Sequence, residues 1–129
     1  MERVAFARPV LKWAGGKAKL ADTICALLPS KFETYYEPFA GGAAVFFALA
    51  RQKRFRRAVL SDSNPELINV YEALKTDVEG VINTLRSWPY DEEKFYQLRD
   101  RYHPRSAATR AARTIYLNKT GYNGLYRVN

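Results

Sequence analysis

Only one cysteine, Cys25, occurs in these 129 residues, so neither an internal disulfide nor a cysteine-rich zinc site can form. That scarcity points to a reducing cytoplasm. No apolar stretch is long enough to span a bilayer, the richest being the short run 43–50. No secretory h-region precedes Lys12, and no repeat, low-complexity tract or flexible linker interrupts the chain. The hydrophobic fraction of 47% excludes disorder and collagen-like repeats. The length fits one small domain or part of a larger one. A soluble, cytoplasmic protein is expected.

Acids are the next shortage. Thirteen Asp and Glu face 21 Lys and Arg, leaving a formal charge of +8, which suits a polyanionic partner, most often nucleic acid. The competing reading is a solvated surface with a basic bias. Arg51, Lys53, Arg54, Arg56 and Arg57 crowd one connection. Arg99, Arg101, Arg105, Arg110, Arg113, Lys119 and Arg127 dominate the last third, with Tyr96, Tyr102, Tyr116, Tyr122 and Tyr126 interleaved. Cations mixed with aromatics suit phosphate contact plus base stacking.

Periodicity divides the chain into two halves. After Gly15-Gly16, Leu20, Ile24, Leu27 and Leu28 recur at helical spacing until Pro29. Residues 34–36 predict a strand running into Glu37-Pro38, and residues 57–61 predict a second with Asp62 at its carboxyl end. Between them, residues 43–50 predict a short helix, apolar nearly all round and so buried. From Asn64-Pro65 onward only helices are expected. Asn64, Asp77, Asp91 and Ser106 each stand where an N-cap belongs, and Gly121 suits the C′ position of the last helix before the Asn123-Gly124 turn. Two strands do not make an independently stable sheet, so the first half is expected to be part of a larger α/β fold.

Three motifs carry chemistry. Lys12-Trp13-Ala14-Gly15-Gly16-Lys17 is not a P-loop, since the glycine spacing is wrong and no Ser or Thr follows Lys17. Its glycines let backbone approach a ligand, Trp13 offers a flat apolar face, and Lys17 stands where it would meet a carboxylate. A core Trp13 and a solvated Lys17 explain the motif equally well. Next, Glu37-Pro38-Phe39-Ala40-Gly41-Gly42 runs from strand through glycine turn to helix, the ligand-binding corner of an open α/β sheet. Close helix–strand packing also needs small residues there. Third, Asp62 lies about twenty residues past that turn, at a strand end, where an acid binds a ribose hydroxyl pair. Capping the following helix is its alternative role, for which Asn64, directly before Pro65, is better placed.

Taken in order, K-W-A-G-G-K, E-P-F-A-G-G, D-S-N-P-E-L-I-N-x-Y and N-K-T-G-Y-N-G-L-Y-R-V-N cover nearly the whole chain. They resemble the Dam-family (D12 class) DNA adenine N6-methyltransferases. The resemblance implies a Rossmann-like S-adenosylmethionine-dependent α/β fold, incomplete here, with a helical target-recognition insertion. On that basis residues 1–64 are the first part of the cofactor-binding domain, and 65–129 a truncated DNA-recognition segment. Trp13, Lys17, Glu37, Pro38, Phe39, Gly41, Gly42 and Asp62 match cofactor-binding positions for S-adenosylmethionine. Lys119, Tyr122, Asn123, Leu125 and Arg127 match DNA-binding positions, and the N-G-L-x-R turn implies GATC as the target. Double-stranded DNA is the implied partner of a monomer that needs no metal or membrane. Many relatives carry glycine where this chain has Ala43. No residue of the chain matches a catalytic position, because the family's Asp-Pro-Pro-Tyr motif is absent from these residues. In the family it lies downstream of the recognition segment, so it is expected beyond Asn129, and the chain is expected to be the inactive N-terminal part of a longer enzyme. The other classes weighed are a non-enzymatic basic DNA-binding module and a nicotinamide-dependent oxidoreductase. The missing dinucleotide fingerprint disfavours the latter.

Overall fold

The computed structural model describes residues 7–121, which fall into two units divided after Ser63. In the first unit, α1 (Ala21–Leu27), β1 (Phe32–Glu37), α2 (Ala44–Arg51) and β2 (Phe55–Leu60) follow one another. The strands are parallel, with Thr34 opposite Arg57, Tyr36 opposite Val59 and Glu37 opposite Leu60. Parallel strands need a crossover, and α2 supplies it. Ala21, Cys25, Val45, Ala48 and Leu49 form the core, with Phe32, Tyr35 and Phe55 packed against it. Tyr36 and Val59 are 67% and 44% exposed, so part of one sheet face is bare. A mixed α/β unit is therefore shown, with two strands among the described residues rather than a full Rossmann-like sheet.

Both strands begin earlier than expected, at the paired Phe32 and Phe55, and β2 ends at Leu60 rather than Ser61. The second helix begins at Ala44, one residue later than expected. Ala43 is its N-cap and is left-handed, at φ 59° and ψ 39°. Burial on α2 is one-sided: Val45, Ala48 and Leu49 are buried, whereas Phe46 and Phe47 are half-buried.

The link from α2 into β2 depends on backbone geometry. Lys53 N–H donates to Ala50 O at 3.1 Å and Arg54 N–H to Leu49 O at 3.2 Å, the paired bonds of a Schellman ending. That ending puts Lys53 at φ 53°, a conformation usually left to glycine. Arg54 then turns inward. Its guanidinium donates to Cys25 O at 2.7 Å, Leu28 O at 2.8 Å and Pro29 O at 2.5 Å, closing the carboxyl end of α1. Cys25 is buried, and burial pushes its thiol up even though Arg54 pulls it down, so it packs as a small apolar residue.

The second unit is helical: α3 (Pro65–Thr76), α4 (Val78–Arg86), α5 (Glu92–Asp100) and α6 (Ala107–Thr120). Every N-cap read from the sequence forms. Asn64 accepts from the Glu66 and Leu67 amides, Asp77 from Gly80, Asp91 from Lys94 and Ser106 from Thr109. The other three helices pack on α6. Fully buried Ala111 and Ala112 keep its surface flat, Asn69 donates to Ala107 O at 3.0 Å, and Arg110 pairs with Glu66. Leu98, Tyr116 and Leu117 form a core with Trp88, Phe95 and Tyr102 around them. At the end of α6, Gly121 is extended (φ −71°, ψ 171°) rather than left-handed, so the helix closes through Gly121 N–H to Leu117 O at 3.0 Å.

Two stability changes follow, both read by urea denaturation with circular dichroism. Lys53→Gly removes a left-handed strain on an exposed side chain and raises stability by about 1 kcal/mol. Arg54→Met leaves the α1 carbonyls without their charged donor and lowers stability by about 2 kcal/mol. An unchanged midpoint for Arg54→Met would remove it as the closure of α1.

Candidate functional site

Beyond β1 the chain makes a turn that few side chains tolerate. Phe39, Gly41 and Ala43 all have positive φ, at 56°, 53° and 59°. For a residue with a Cβ, that conformation costs roughly 1–2 kcal/mol. The surroundings hold it in place. Ser61 N–H donates to Glu37 O at 3.0 Å and Ala40 N–H to Ser61 O at 2.9 Å, carrying the strand ladder past its end. Gly41 N–H donates to Asp62 Oδ2 at 3.0 Å. Lys17 Nζ donates to Phe39 O at 3.2 Å, tying the loop ahead of α1 to the same turn.

Trp13 closes the other side. A Cβ on Gly41 would lie 3.3 Å from Trp13 Cδ1, and one on Gly42 would lie 3.1 Å from the Leu11 carbonyl oxygen. Both glycines allow close approach, and Gly41 also allows the left-handed conformation. Gly15 is left-handed at φ 75°, and Gly16 N–H donates to Trp13 O at 3.0 Å, which folds the first motif into a tight turn. Phe39 is 79% exposed, an aromatic face presented to solvent beside the glycines.

Glu37 is the buried carboxyl group of this site. One carboxylate oxygen accepts from the Tyr35 hydroxyl at 3.1 Å, and Oε2 is buried with no hydrogen bond among the described residues. Burial pushes the carboxyl group above the ordinary glutamate value. The Tyr35 hydroxyl, the Lys17 ammonium and the Phe46 amide pull it down. Tyr35 is pushed up in turn, by burial first and by the Glu37 charge next.

The structure thus brings Trp13, Lys17, Glu37, Phe39, Gly41, Gly42 and Asp62 together at the carboxyl ends of two parallel strands, with exposed Pro38 between Glu37 and Phe39. Asp62 does not cap α3, since Asn64 does. Tyr35, Ser61 and Leu11 were missed. The signal for Tyr35 was available, because residues i and i+2 of a strand share a face and Glu37 is its neighbour.

The basic residues need correction. Arg54 is committed to α1, Arg110 pairs with Glu66, and Arg113 donates to Leu98 O at 2.7 Å and Arg99 O at 3.0 Å. Tyr116 is core, its hydroxyl donating to Pro89 O at 2.8 Å, so it is not a base-stacking surface. A guanidinium reaches backbone carbonyls as readily as phosphates, which a charge count does not register. Lys119 is exposed near the end of α6. Tyr122, Asn123, Leu125 and Arg127 lie outside the described residues. Among the described residues no group of three or more His, Cys, Asp or Glu could hold a metal, and no helix is long and apolar enough to cross a membrane.

Comparison with known proteins adds a family. Residues 13–129 match the model of the D12 class N6 adenine-specific DNA methyltransferases. The chain is 43% identical to a type II methyltransferase of Lactococcus lactis subsp. cremoris over 95% of its own length and 44% of that protein's. It is 39% identical to a type II methyltransferase of Methanocaldococcus jannaschii, over 95% and 48%. A DNA adenine methylase of Haemophilus influenzae is 36% identical, over 95% and 43%. The chain spans less than half the length of these relatives.

The geometry of the turn sets one outcome. Gly41→Ala places a methyl group in a left-handed conformation and against the Trp13 ring. It should cost about 1–2 kcal/mol and shift the indole N–H resonance of Trp13 while leaving that of Trp88 in place. An unmoved Trp13 resonance would separate the ring from the turn.

Proposed function

The chain belongs to the D12 class of N6 adenine-specific DNA methyltransferases, and on that premise we propose that the full-length protein transfers a methyl group from S-adenosylmethionine to adenine N6 in duplex DNA. One observation carries the reading to this chain's own residues. Trp13, Lys17, Gly41 and Asp62, far apart in sequence, meet at the end of the sheet where α/β folds bind ligands.

The residues present fit the cofactor. Its bulk needs backbone without side chains, which Gly41 and Gly42 provide, and Trp13 and exposed Phe39 offer aromatic surface beside them. Asp62 accepts ribose hydroxyls. Lys17 meets the methionine carboxylate. When bound, S-adenosylmethionine supplies a methyl group on a sulfonium, an electrophile that needs no metal. The β1–α2–β2 unit is read as the start of a Rossmann-like sheet. The bare face at Tyr36 and Val59 supports this, since parallel sheets are ordinarily covered on both sides.

The helical unit is read as the start of the DNA-recognition segment, with Lys119, Tyr122, Asn123, Leu125 and Arg127 as its DNA-binding residues. Adenine N6 is a poor nucleophile until acceptors take its hydrogens and a ring stacks on the flipped base. None of the residues named above is assigned to that step, because the Asp-Pro-Pro-Tyr motif does not occur between Met1 and Asn129.

In the full-length protein, Asp62→Ala should weaken S-adenosylmethionine binding by about 1–3 kcal/mol in titration calorimetry. DNA affinity measured without cofactor should hardly change. Radiolabelled methyl transfer to adenine should be stronger on GATC duplexes than on scrambled ones. Unchanged cofactor affinity would overturn the role of Asp62, and absence of transfer to any adenine-containing duplex would overturn the activity.

A further inference from the structure

Glu37 is only 4% exposed, an unusual place for a carboxyl group with a single side-chain donor. That donor is itself fixed. The Tyr35 ring lies 6.0 Å from both Phe32 and Phe55, so its hydroxyl is held against Glu37 Oε1 while Oε2 is left buried and without a hydrogen bond. A buried polar atom left in this way costs free energy and asks for an explanation.

The charges around Glu37 narrow the explanation. On β1 it meets Tyr35, ahead of α1 it feels the Lys17 ammonium, and in the first turn of α2 it feels the Phe46 amide. Cys25 of α1 is also within electrostatic reach, and the partner across the ladder is apolar Leu60. Ala43 caps α2 without a side chain, and the Phe46 amide in the first turn of that helix favours the charged form of Glu37. Desolvation still outweighs these aids, and the carboxyl group titrates above the ordinary glutamate value.

We propose that Glu37, positioned by Tyr35, is the charge partner of the glycine turn: it holds a proton while the turn is empty and releases it to solvent when a cationic ligand binds. The O–H bond of the carboxyl group breaks, the proton goes to water, and nothing is oxidised or reduced. S-adenosylmethionine, with its sulfonium and ammonium charges, is such a ligand, so this inference rests on the cofactor reading of the turn. Glu37 then also distinguishes the charged cofactor from the thioether product, which carries one positive charge fewer. The sign follows from linkage. A bound cation lowers the carboxyl group's pKa from its raised value in the empty site, so binding releases a proton at pH values between the two and none well above them.

Titration calorimetry of the full-length protein with S-adenosylmethionine, in two buffers of different ionisation enthalpy and from pH 4.5 upward, reads that proton directly. Proton release is expected within the window, and less of it with S-adenosylhomocysteine. Glu37→Gln keeps the acceptor for Tyr35 but should make the binding heat independent of buffer. Tyr35→Phe removes a donor to the charged form and should move the window to higher pH. Should Glu37→Gln not bind, the Tyr35→Phe window decides. Release that persists in Glu37→Gln, no release from the unsubstituted protein, or a window unmoved by Tyr35→Phe overturns the proposal. Failure of the unsubstituted protein to bind S-adenosylmethionine overturns the cofactor reading, and this inference with it.

Discussion

The bond from the Gly41 amide to Asp62 Oδ2, 3.0 Å long, is the constraint on which the first unit's site rests. It joins the turn after β1 to the end of β2, across 21 residues of chain. Without it, a turn with Phe39, Gly41 and Ala43 all left-handed would relax, because two of the three carry a steric penalty that glycine avoids. The neighbouring bonds from Ser61 and to Ser61 fix only backbone height along the ladder. Asp62 reaches sideways to a turn amide, and Lys17 to the Phe39 carbonyl. Trp13 can then stand against Gly41 because nothing in the turn can move to meet it.

Much of this was legible in the sequence, and for identifiable reasons. Caps are local: a Ser, Asp or Asn three residues before an amide needs no knowledge of the rest of the fold. All four predicted caps form. Helical periodicity is local too: the apolar spacing of Leu67, Ile68, Tyr71 and Leu74 marks the helix α3, but of these only Leu67 is buried, with Val70 and Ala73 in place of the other three. The choice between Asp62 and Asn64 for capping α3 was likewise decided by the position of Pro65.

What stayed illegible depends on contacts distant in sequence. Arg54 and Arg113 look like any other arginine in a basic chain, yet both close helix ends on backbone carbonyls. Tyr116 sits among cations in sequence and among Leu98, Leu117 and Trp88 in space. Ala43 offers no sign that its backbone is left-handed, since alanine favours a right-handed helix; only the resemblance to sequences with glycine there hinted at it. Lys53 is concealed in the same way, its conformation being imposed by the Schellman ending of α2.

Strain and buried charge occur together at one end of the sheet, and a common cause accounts for both. The turn leaves space beside Gly41 and Gly42, and left-handed Ala43 at the N-cap of α2 has no side chain to cap it. The acid near the first turn of α2 is instead Glu37, at the end of β1, whose charged form the Phe46 amide favours. That carboxyl group must be buried to lie beneath the turn, and burial raises the cost of its charge. Tyr35 offsets part of that cost with one hydrogen bond, and Oε2 is left without one. A positive charge arriving at the turn is what would compensate it, so the same geometry that makes room for a ligand also favours a cationic one.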